Sequence, residues 1–390
     1  MGIRIYSRIL GALCLANLIG LLFAGLWPFD FSPENKASWD LNGKGLSFTG
    51  NRTSFKRSVG SIALWPVLKG SPRVPPETGA FTLSIRLQPA RERRGSAPHI
   101  FSLVDKSGEK VLYLGQWGKS LLVRWREAGR EGGGKWREIG VGEALLKDKA
   151  QGLTIATDRS GTVVYINGQA ARRFPGKSLL AEGSAIRDYS IVLGNSPEAK
   201  SFWAGTISAL ALYEKSLAEK EILEGWRGPA GSFLDASSGQ NGLIASFKLE
   251  GGPGDRGSDL SGNGNVLEIP SHISVRGRML EGVDNSFRAG VSLTSDAVVN
   301  VLGFTPFGFF VFGWFKIRGR WNRGRLALLV VLGGGLVSLA IEMTQAFLPT
   351  RDSSLLDVIC NAAGALLGIF VFILFSLAVK GSRTFIKKLP

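Results

Sequence analysis

An α + β membrane protein is expected, in which a four-helix transmembrane bundle carries an all-β sandwich inserted after its first helix. Three observations predict it. Four stretches of the 390-residue chain are apolar over roughly 20 residues, the length a helix needs to cross the hydrocarbon core of a bilayer. Everything between Asp30 and Ser295 is instead polar, glycine-rich and broken into short β-branched and aromatic runs. Basic residues, finally, collect on one side of the apolar pattern.

The apolar stretches are residues 9–29, 298–315, 326–347 and 355–379. Arg4 and Arg8 precede the first as a signal peptide's n-region precedes its h-region. The run is longer than the usual 7 to 15 residues or so and lacks a small-x-small site, which favours a retained helix. Leu13, bulky before Cys14, argues against a lipoprotein. Arg4 and Arg8, the five basic residues from Lys316 to Arg325, and Lys380, Arg383, Lys387 and Lys388 all fall on one side. The loop between the third and fourth spans offers only Arg351, beside Asp352. The positive-inside rule makes both termini and the 316–325 loop cytoplasmic, so the large insertion faces outward. The location expected is the cytoplasmic (inner) membrane.

The formal net charge of +16 is therefore explained largely by topology. Residues 9–295 hold 35 basic and 27 acidic side chains, an excess that suits anionic envelope polymers or lipid headgroups, or a merely solvated surface. No dense basic run with interleaved aromatics occurs, which excludes nucleic acid. Cys14 and Cys360 both lie in predicted spans, so the insertion holds no disulfide and depends on the size of its core.

Strands are predicted at 81–87, 100–104, 110–114, 121–125, 152–157, 162–166, 190–193, 206–213 and 243–249. In the first, Leu83, Ile85 and Leu87 alternate with Ser84 and Arg86, so one face of each sheet is core. Asp158 to Gly161 and Asn167-Gly168 supply turns for two consecutive hairpins over 153–171. A capping box at Ser216-Leu-Ala-Glu219 starts a short helix through Ile222, Leu223 and Trp226.

The run Phe202-Trp-Ala-Gly-Thr-Ile-Ser-Ala-Leu-Ala-Leu-Tyr-Glu-Lys-Ser-Leu-Ala-Glu-Lys-Glu-Ile222 resembles the closing signature of laminin-G-like, concanavalin A-like jelly rolls, and Gly161-Thr-Val-Val-Tyr-Ile-Asn-Gly168 resembles that family's internal hairpin. The resemblance spans 38–290 and implies a jelly-roll sandwich that binds or cleaves glycans. It departs from the family where Ser208 and Ala211 stand in place of an acid and a base. Cleavage requires two carboxylates flanking the scissile bond, and no Glu-x-Asp-x-x-Glu pattern exists. Glu127, Glu131 and Glu138 read as a solvated, glycine-rich loop. Trp117, Trp125, Trp136 and Trp203 are candidates to stack on sugars, core packing being the commoner role. Binding outranks hydrolysis, with a protein-protein spacer close behind. His99 and His272 are too few and isolated for zinc, and no metal site is assigned. No cofactor is expected, although the oxygen-rich segment 254–265 is either a structural calcium loop or a turn cluster.

Ionisable and amide groups inside apolar spans are costly and mark a bundle interior or a site. Gly335, Ser338, Glu342 and Gln345 share one helical stripe; Asp357, Asn361, Gly364 and Gly368 share another; Asp296, Asn300 and Gly303 lead into the second span likewise. Glu342 lies about 24 Å along its helix from residue 326, near the outer leaflet. The polar ends converge there, with Arg351 as the neighbouring cation, and Gly335, Gly364 and Gly368 let the helices pack closely. One reading is mutual satisfaction, Glu342 with Arg351 and Asn300 with Asn361. The other is a site for an amphiphile's polar head, with Glu342 or Asp357 as the proton-transfer group.

The run Glu342-Met-Thr-Gln-Ala-Phe-Leu-Pro-Thr-Arg-Asp-Ser-Ser-Leu-Leu-Asp-Val-Ile-Cys-Asn-Ala-Ala-Gly-Ala-Leu-Leu-Gly368 resembles the hallmark of the VanZ-like membrane family. Asp296 through Asn300 to Phe304-Thr-Pro-Phe-Gly308 resembles its earlier motif, and Trp27-Pro-Phe-Asp-Phe31 its first-span exit. The resemblance covers all four spans and implies a bacterial cell-envelope protein whose polar cluster is Asp296, Asn300, Glu342, Gln345, Arg351, Asp357 and Asn361. Founding members are associated with glycopeptide-antibiotic resistance; the large insertion departs from the family's minimal form. The domains expected are 1–31, the first helix; 32–290, the sandwich; and 291–390, the remaining helices. The function expected is binding: an envelope glycan or partner by the sandwich, a membrane lipid or lipid-linked glycan precursor by the bundle. The alternatives are an enzyme acting on such a precursor and a structural anchor for a lectin-like domain.

Overall fold

The computed structural model describes residues 2–386 other than 41, 50–62, 66–78, 93–96, 128–133, 182, 200, 228–241, 252–256, 274–278, 281–292, 320 and 349–350. Its chain divides into two compact units: Pro33–Ile273, and Met1–Ser32 with Ser274–Pro390. The β unit ends at Ile273 rather than at the expected 290. Beyond it the backbone N–H of Leu280 already donates to Ser353 Oγ (3.0 Å), which ties that stretch to the other unit.

In the β unit the strands are β1 Ser38–Trp39, β2 Leu46–Phe48, β3 Ala63–Trp65, β4 Phe81–Pro89, β5 His99–Val104, β6 Lys110–Trp117, β7 Ser120–Arg126, β8 Trp136–Val141, β9 Gln151–Asp158, β10 Gly161–Ile166, β11 Gln169–Pro175, β12 Ser190–Leu193, β13 Gly205–Tyr213 and β14 Leu243–Lys248. They form two antiparallel sheets. One runs β1-β2-β13-β4-β9-β10-β11, and the other β3-β12-β5-β6-β7-β8. The β13 edge away from β4 is shared: β2 pairs with Gly205–Ile207, and β14, the eighth strand of that sheet, pairs with Ala209–Tyr213. A register shift at this switch leaves Ser208 between the two partners.

The alternating residues of both sheets meet in one core, with Leu83, Ile85 and Leu87 facing Leu112, Leu114 and Val123 and their neighbours. Trp203 is 1% exposed there, and its Nε1–H donates to Gln116 Oε1 at 2.6 Å. The opposite face of the larger sheet is not simply solvated as the alternation implies. Ala156, Tyr165, Ala209, Ala211 and Tyr213 form a second, smaller core there with Leu217 and Ile222. Helix α2, Glu219–Arg227, covers part of that face. The expected capping box does not form: only its acidic half is present, two residues later, where the N–H of Ala218 donates to Glu221 (2.7 Å), while Ser216 hydrogen-bonds to Asp158.

Five strands, β1, β2, β3, β8 and β11, are absent from the predicted set, although the second expected hairpin reaches the start of β11. In β8 the first three residues are exposed, because it is a sheet edge and only Ile139 and Val141 reach the core. Glu138 therefore belongs to a strand, opposite Arg124 on β7, and not to the charged loop expected. Strand β11 is an exposed edge likewise.

The other unit contains α1 Gly2–Leu26, α3 Leu293–Arg318, α4 Arg323–Gln345 and α5 Leu355–Ile386, each long and apolar enough to cross a membrane. Helix α1 stops at Leu26, ahead of the expected 29, since Pro28 cannot continue the hydrogen-bond ladder. Asn322 caps α4, its side chain accepting from Gly324 N and Arg325 N. Phe304, Phe307, Phe312, Leu326, Val330, Ile341, Ala365 and Ile369 form the interior, while Leu329, Leu336, Phe370 and Leu374 face outward exposed, as lipid-facing residues do.

Glycines set the spacing of α3 and α5. A Cβ on Gly364 would stand 2.2 Å from Val301 O, on Gly368 2.0 Å from Thr305 O, and on Gly308 1.9 Å from Ala365 O. Gly335, expected to serve in packing, does not: nothing lies within 4 Å of its Cβ position, and Gly334 is the glycine that meets Ala365 and Phe307. The one-residue difference follows from helical geometry, since adjacent residues point about 100° apart. Gly303 also faces open space.

Candidate functional site

The polar residues of the spans gather at one end of the bundle, where α1 and α4 finish and α3 and α5 begin. They act as two groups. The first serves helix ends. Glu342 is 3% exposed, and its Oε2 accepts the N–H of Ser354, immediately before α5, at 2.8 Å. A carboxylate there satisfies an orphan donor and meets the positive end of the helix dipole. Gln345 Nε2 donates to Gly25 O (2.8 Å). Arg351 donates from Nε and Nη2 to Trp27 O (3.1 and 2.9 Å) and from Nη2 to Ala24 O (3.0 Å). Together these two side chains close the last carbonyls of α1, which no residue further along that helix can reach.

The second group ties helices to one another. Asn361 Nδ2 donates to Ser338 Oγ at 2.8 Å, joining α5 to α4. Asn300 on α3 hydrogen-bonds to Asp357 on α5, and Asp296 adds a second negative charge beside that pair. Asp296 itself is exposed. The pairings differ from those expected. Among the described residues Glu342 and Arg351 form no salt bridge, because each is drawn to a different helix terminus, and Asn300 and Asn361 each find another partner. Asn17 on α1, an amide in an apolar span that the motif reading passed over, has its Oδ1 buried without a partner, as does Asn361.

In the β unit the candidates are spread out. Trp125 and Trp203 belong to the core, whereas Trp117 and Trp136 are exposed. Glu127 is bridged by Arg137 (2.8 Å) and Glu138 by Arg124; Glu131 lies outside the described residues. No carboxylate pair flanks a cleft among them. His99 is buried, stacked on Tyr113 with ring centroids 3.8 Å apart and its Nδ1 3.0 Å from Ser102 Oγ. Burial, with Lys110 and Arg124 adding positive charge, holds the imidazole well below its ordinary value, so it is a neutral packing residue. His272 lies exposed against Ser271 Oγ.

Residues 254–256 of the expected calcium segment lie outside the described residues, and 257–265 form a turn cluster around Asp259. Its Oδ1 accepts Ser246 N and Ser261 N, both at 3.0 Å, and its Oδ2 accepts Asn265 N and Nδ2, both at 2.9 Å. These bonds fasten the segment to β14. No group of three His, Cys, Asp or Glu suited to a metal occurs among the described residues.

Residues 260–376 match the family model described as VanZ/LLP1, and residues 68–223 match the model of the concanavalin A-like lectin/glucanases superfamily. The first match takes in α3, α4 and α5 as far as residue 376 and leaves out α1, so it is shorter than the resemblance over all four spans. The second is shorter than the resemblance over 38–290; β1, β2 and β14 lie outside it yet are hydrogen-bonded into the same sheet. No curated protein matches. Solved structures similar to the chain include a Bacteroides ovatus protein whose carbohydrate binding is inferred (14% identity, 59% of this chain and 60% of that one, TM-score 0.36). Others are the receptor binding domain of botulinum neurotoxin type G (13%, 50% and 45%, 0.34) and the Ruminococcus gnavus IT-sialidase CBM40 bound to α2,3-sialyllactose (13%, 38% and 82%, 0.31). The chain spans 60% and 45% of the lengths of the first two. The chain is thus a membrane protein that joins a VanZ/LLP1 segment to a concanavalin A-like β-sandwich.

Proposed function

We propose that this chain, which joins a VanZ/LLP1 segment to a concanavalin A-like domain, is a bacterial cell-envelope protein: four helices anchor it in the inner membrane, and its β unit binds an envelope glycan on the outer side. The observation that carries this reading is the position of the β unit in the chain. It follows α1 in the sequence, and the basic loop between α3 and α4 supports, by the positive-inside rule, a cytoplasmic position for that loop and an outer one for the segment after α1. Glu342, Gln345 and Arg351 each bond a helix end, which supports a role for them in building that end of the bundle. Asp296, Asn300 and Asp357, at the start of α3 and α5, are the group we assign to meeting a membrane lipid or a lipid-linked glycan precursor at the interface.

Two measurements test the reading. Single cysteines placed in the β unit of a chain otherwise lacking Cys14 and Cys360 are labelled by an impermeant maleimide in intact spheroplasts; labelling only after lysis overturns the orientation. Full-length protein in lipid nanodiscs is applied to a glycan array, where an empty array returns the β unit to the role of a spacer. The enzyme reading takes Glu342 or Asp357 as the proton-transfer group, and the negative charge of Asp296 beside Asp357 favours the latter. It requires turnover of a lipid-linked oligosaccharide that Asp357→Asn abolishes at unchanged protein level.

A further inference from the structure

The outer face of the larger sheet is only partly covered by α2. Beside that helix lies a cleft of about 490 Å³, within the range of roughly 300–1,000 Å³ usual for small-ligand sites. Trp226, half-buried, forms one wall. Its Nε1–H donates to Thr154 Oγ1 at 3.0 Å, and its ring lies directly on the sheet: a Cβ at Gly152 would come within 2.3 Å of it, and one at Gly168 within 2.8 Å of the side chain. The two glycines are what let the indole seat there. Arg86 holds its guanidinium 5.4 Å from the ring centroid, so a planar cationic donor is fixed over the aromatic wall.

The remaining lining is mixed: Leu87, Ala150 and Gly152 are apolar, and the other residues carry amides, hydroxyls and charges. Gln88 donates from Nε2 to Asp148 O (3.1 Å), which leaves its carbonyl oxygen. Gln151 accepts Leu146 N at Oε1 (2.6 Å) and Asn167 accepts Gly152 N at Oδ1 (2.7 Å), which leaves both of their NH₂ groups. Thr206 and Ser208 add hydroxyls, Ser208 at the β13 register shift. Lys44 and Glu250 contribute one charge of each sign. Donors and acceptors are thus interleaved with apolar surface, in about equal measure, around a concave cleft. A sugar matches such a mixed surface, its hydroxyls being each donor and acceptor and its C–H faces packing on the aromatic wall.

We propose that this cleft, walled by Trp226 and Arg86 and lined by Gln88, Gln151, Thr206 and Ser208, is the saccharide site of the β unit, taking a short oligosaccharide. The proposal rests on the glycan-binding reading above and assigns it to one place. Full-length protein in nanodiscs is screened on an array of cello-, laminari- and chitotetraose, tetragalacturonate and sialyllactose, and the best binder is titrated by calorimetry. Gln88→Ala and Lys44→Ala, neither of which touches the core, should each weaken it several-fold. Thr206→Phe, which fills the cleft, should weaken it at least tenfold. Trp117→Ala and Trp136→Ala, on the other sheet, should leave it unchanged. Each variant must keep the wild-type thermal unfolding midpoint; if Thr206→Phe does not fold, the two alanine variants decide. Binding that survives all cleft variants and is lost in Trp117→Ala or Trp136→Ala overturns the cleft while the glycan reading stands. Absence of binding by the wild type to every probe overturns both.

Discussion

The α3–α5 contact gives the sharpest quantitative expectation. At Gly368 a Cβ would stand 2.0 Å from the carbonyl oxygen of Thr305 and 2.7 Å from Phe309 N, both backbone atoms that cannot rotate away. An ordinary contact needs at least 3.4 Å, so Gly368→Ala forces the two helices about 1.4 Å apart locally. A gap of even 0.5–1 Å forfeits about a quarter to a half of each dispersion contact along the seam. Overpacking of this kind costs about 1–3 kcal/mol. Gly364→Ala, 2.2 Å from Val301 O, should cost a similar amount. Because both substitutions open one seam, the pair should cost less than the two taken separately. Gly335→Ala, with open space at its Cβ position, should be neutral or stabilising by up to about 1 kcal/mol through helix propensity. Thermal unfolding in one detergent, followed by helical circular dichroism, reads all four variants. If Gly364→Ala and Gly368→Ala unfold with Gly335→Ala and the wild type, the close backbone approach is wrong.

Three further outcomes follow from single contacts. Glu342→Ala should lose the cap on Ser354 and about 1 kcal/mol, whereas Glu342→Gln keeps an acceptor and should retain most of it; equal losses in the two would show that capping is not its role. Arg351→Ala should make local opening at the end of α1 roughly tenfold easier, the equivalent of about 1.5 kcal/mol for a charged hydrogen bond, with Arg351→Lys intermediate. Hydrogen exchange of amides 20–27 measures this, and unchanged rates would refute the cap. His99 is held below its ordinary value of 6.5, chiefly by burial, so the unfolded chain takes up a proton near that pH while the folded one does not. Stability of the β unit should therefore fall as the pH drops below about 6.5, and tryptophan-monitored denaturation at pH 7 and pH 5 should show a smaller fall in His99→Gln. An identical fall in both proteins would assign the acid sensitivity elsewhere.

Local chemistry was enough for much of the architecture. Twenty-odd apolar residues admit only a spanning helix, and the alternation through Leu83, Ile85 and Leu87 admits only a half-buried strand, so both units were legible from residue order. Alternation weakens where a strand has one neighbour and little core, which is why β8 around Glu138 read as loop. The polar residues of the bundle were legible too, as groups too costly to leave in lipid.

Their partners were not. A stripe on one helix says which side chains share a face, but the choice of partner depends on which backbone ends the neighbouring helices bring near it. Glu342 found the start of α5 and Arg351 the end of α1, because an unpaired helix terminus competes with an opposite charge for the same hydrogen bonds. Gly334 rather than Gly335 met Ala365 for the same reason: one residue is about 100° of rotation, and only the packed bundle sets the rotation. The cleft beside Trp226 is tertiary throughout. Residues as distant in the chain as Lys44, Arg86, Gln151, Thr206 and Trp226 border one space only after β4, β9 and β13 pair and α2 folds back onto them.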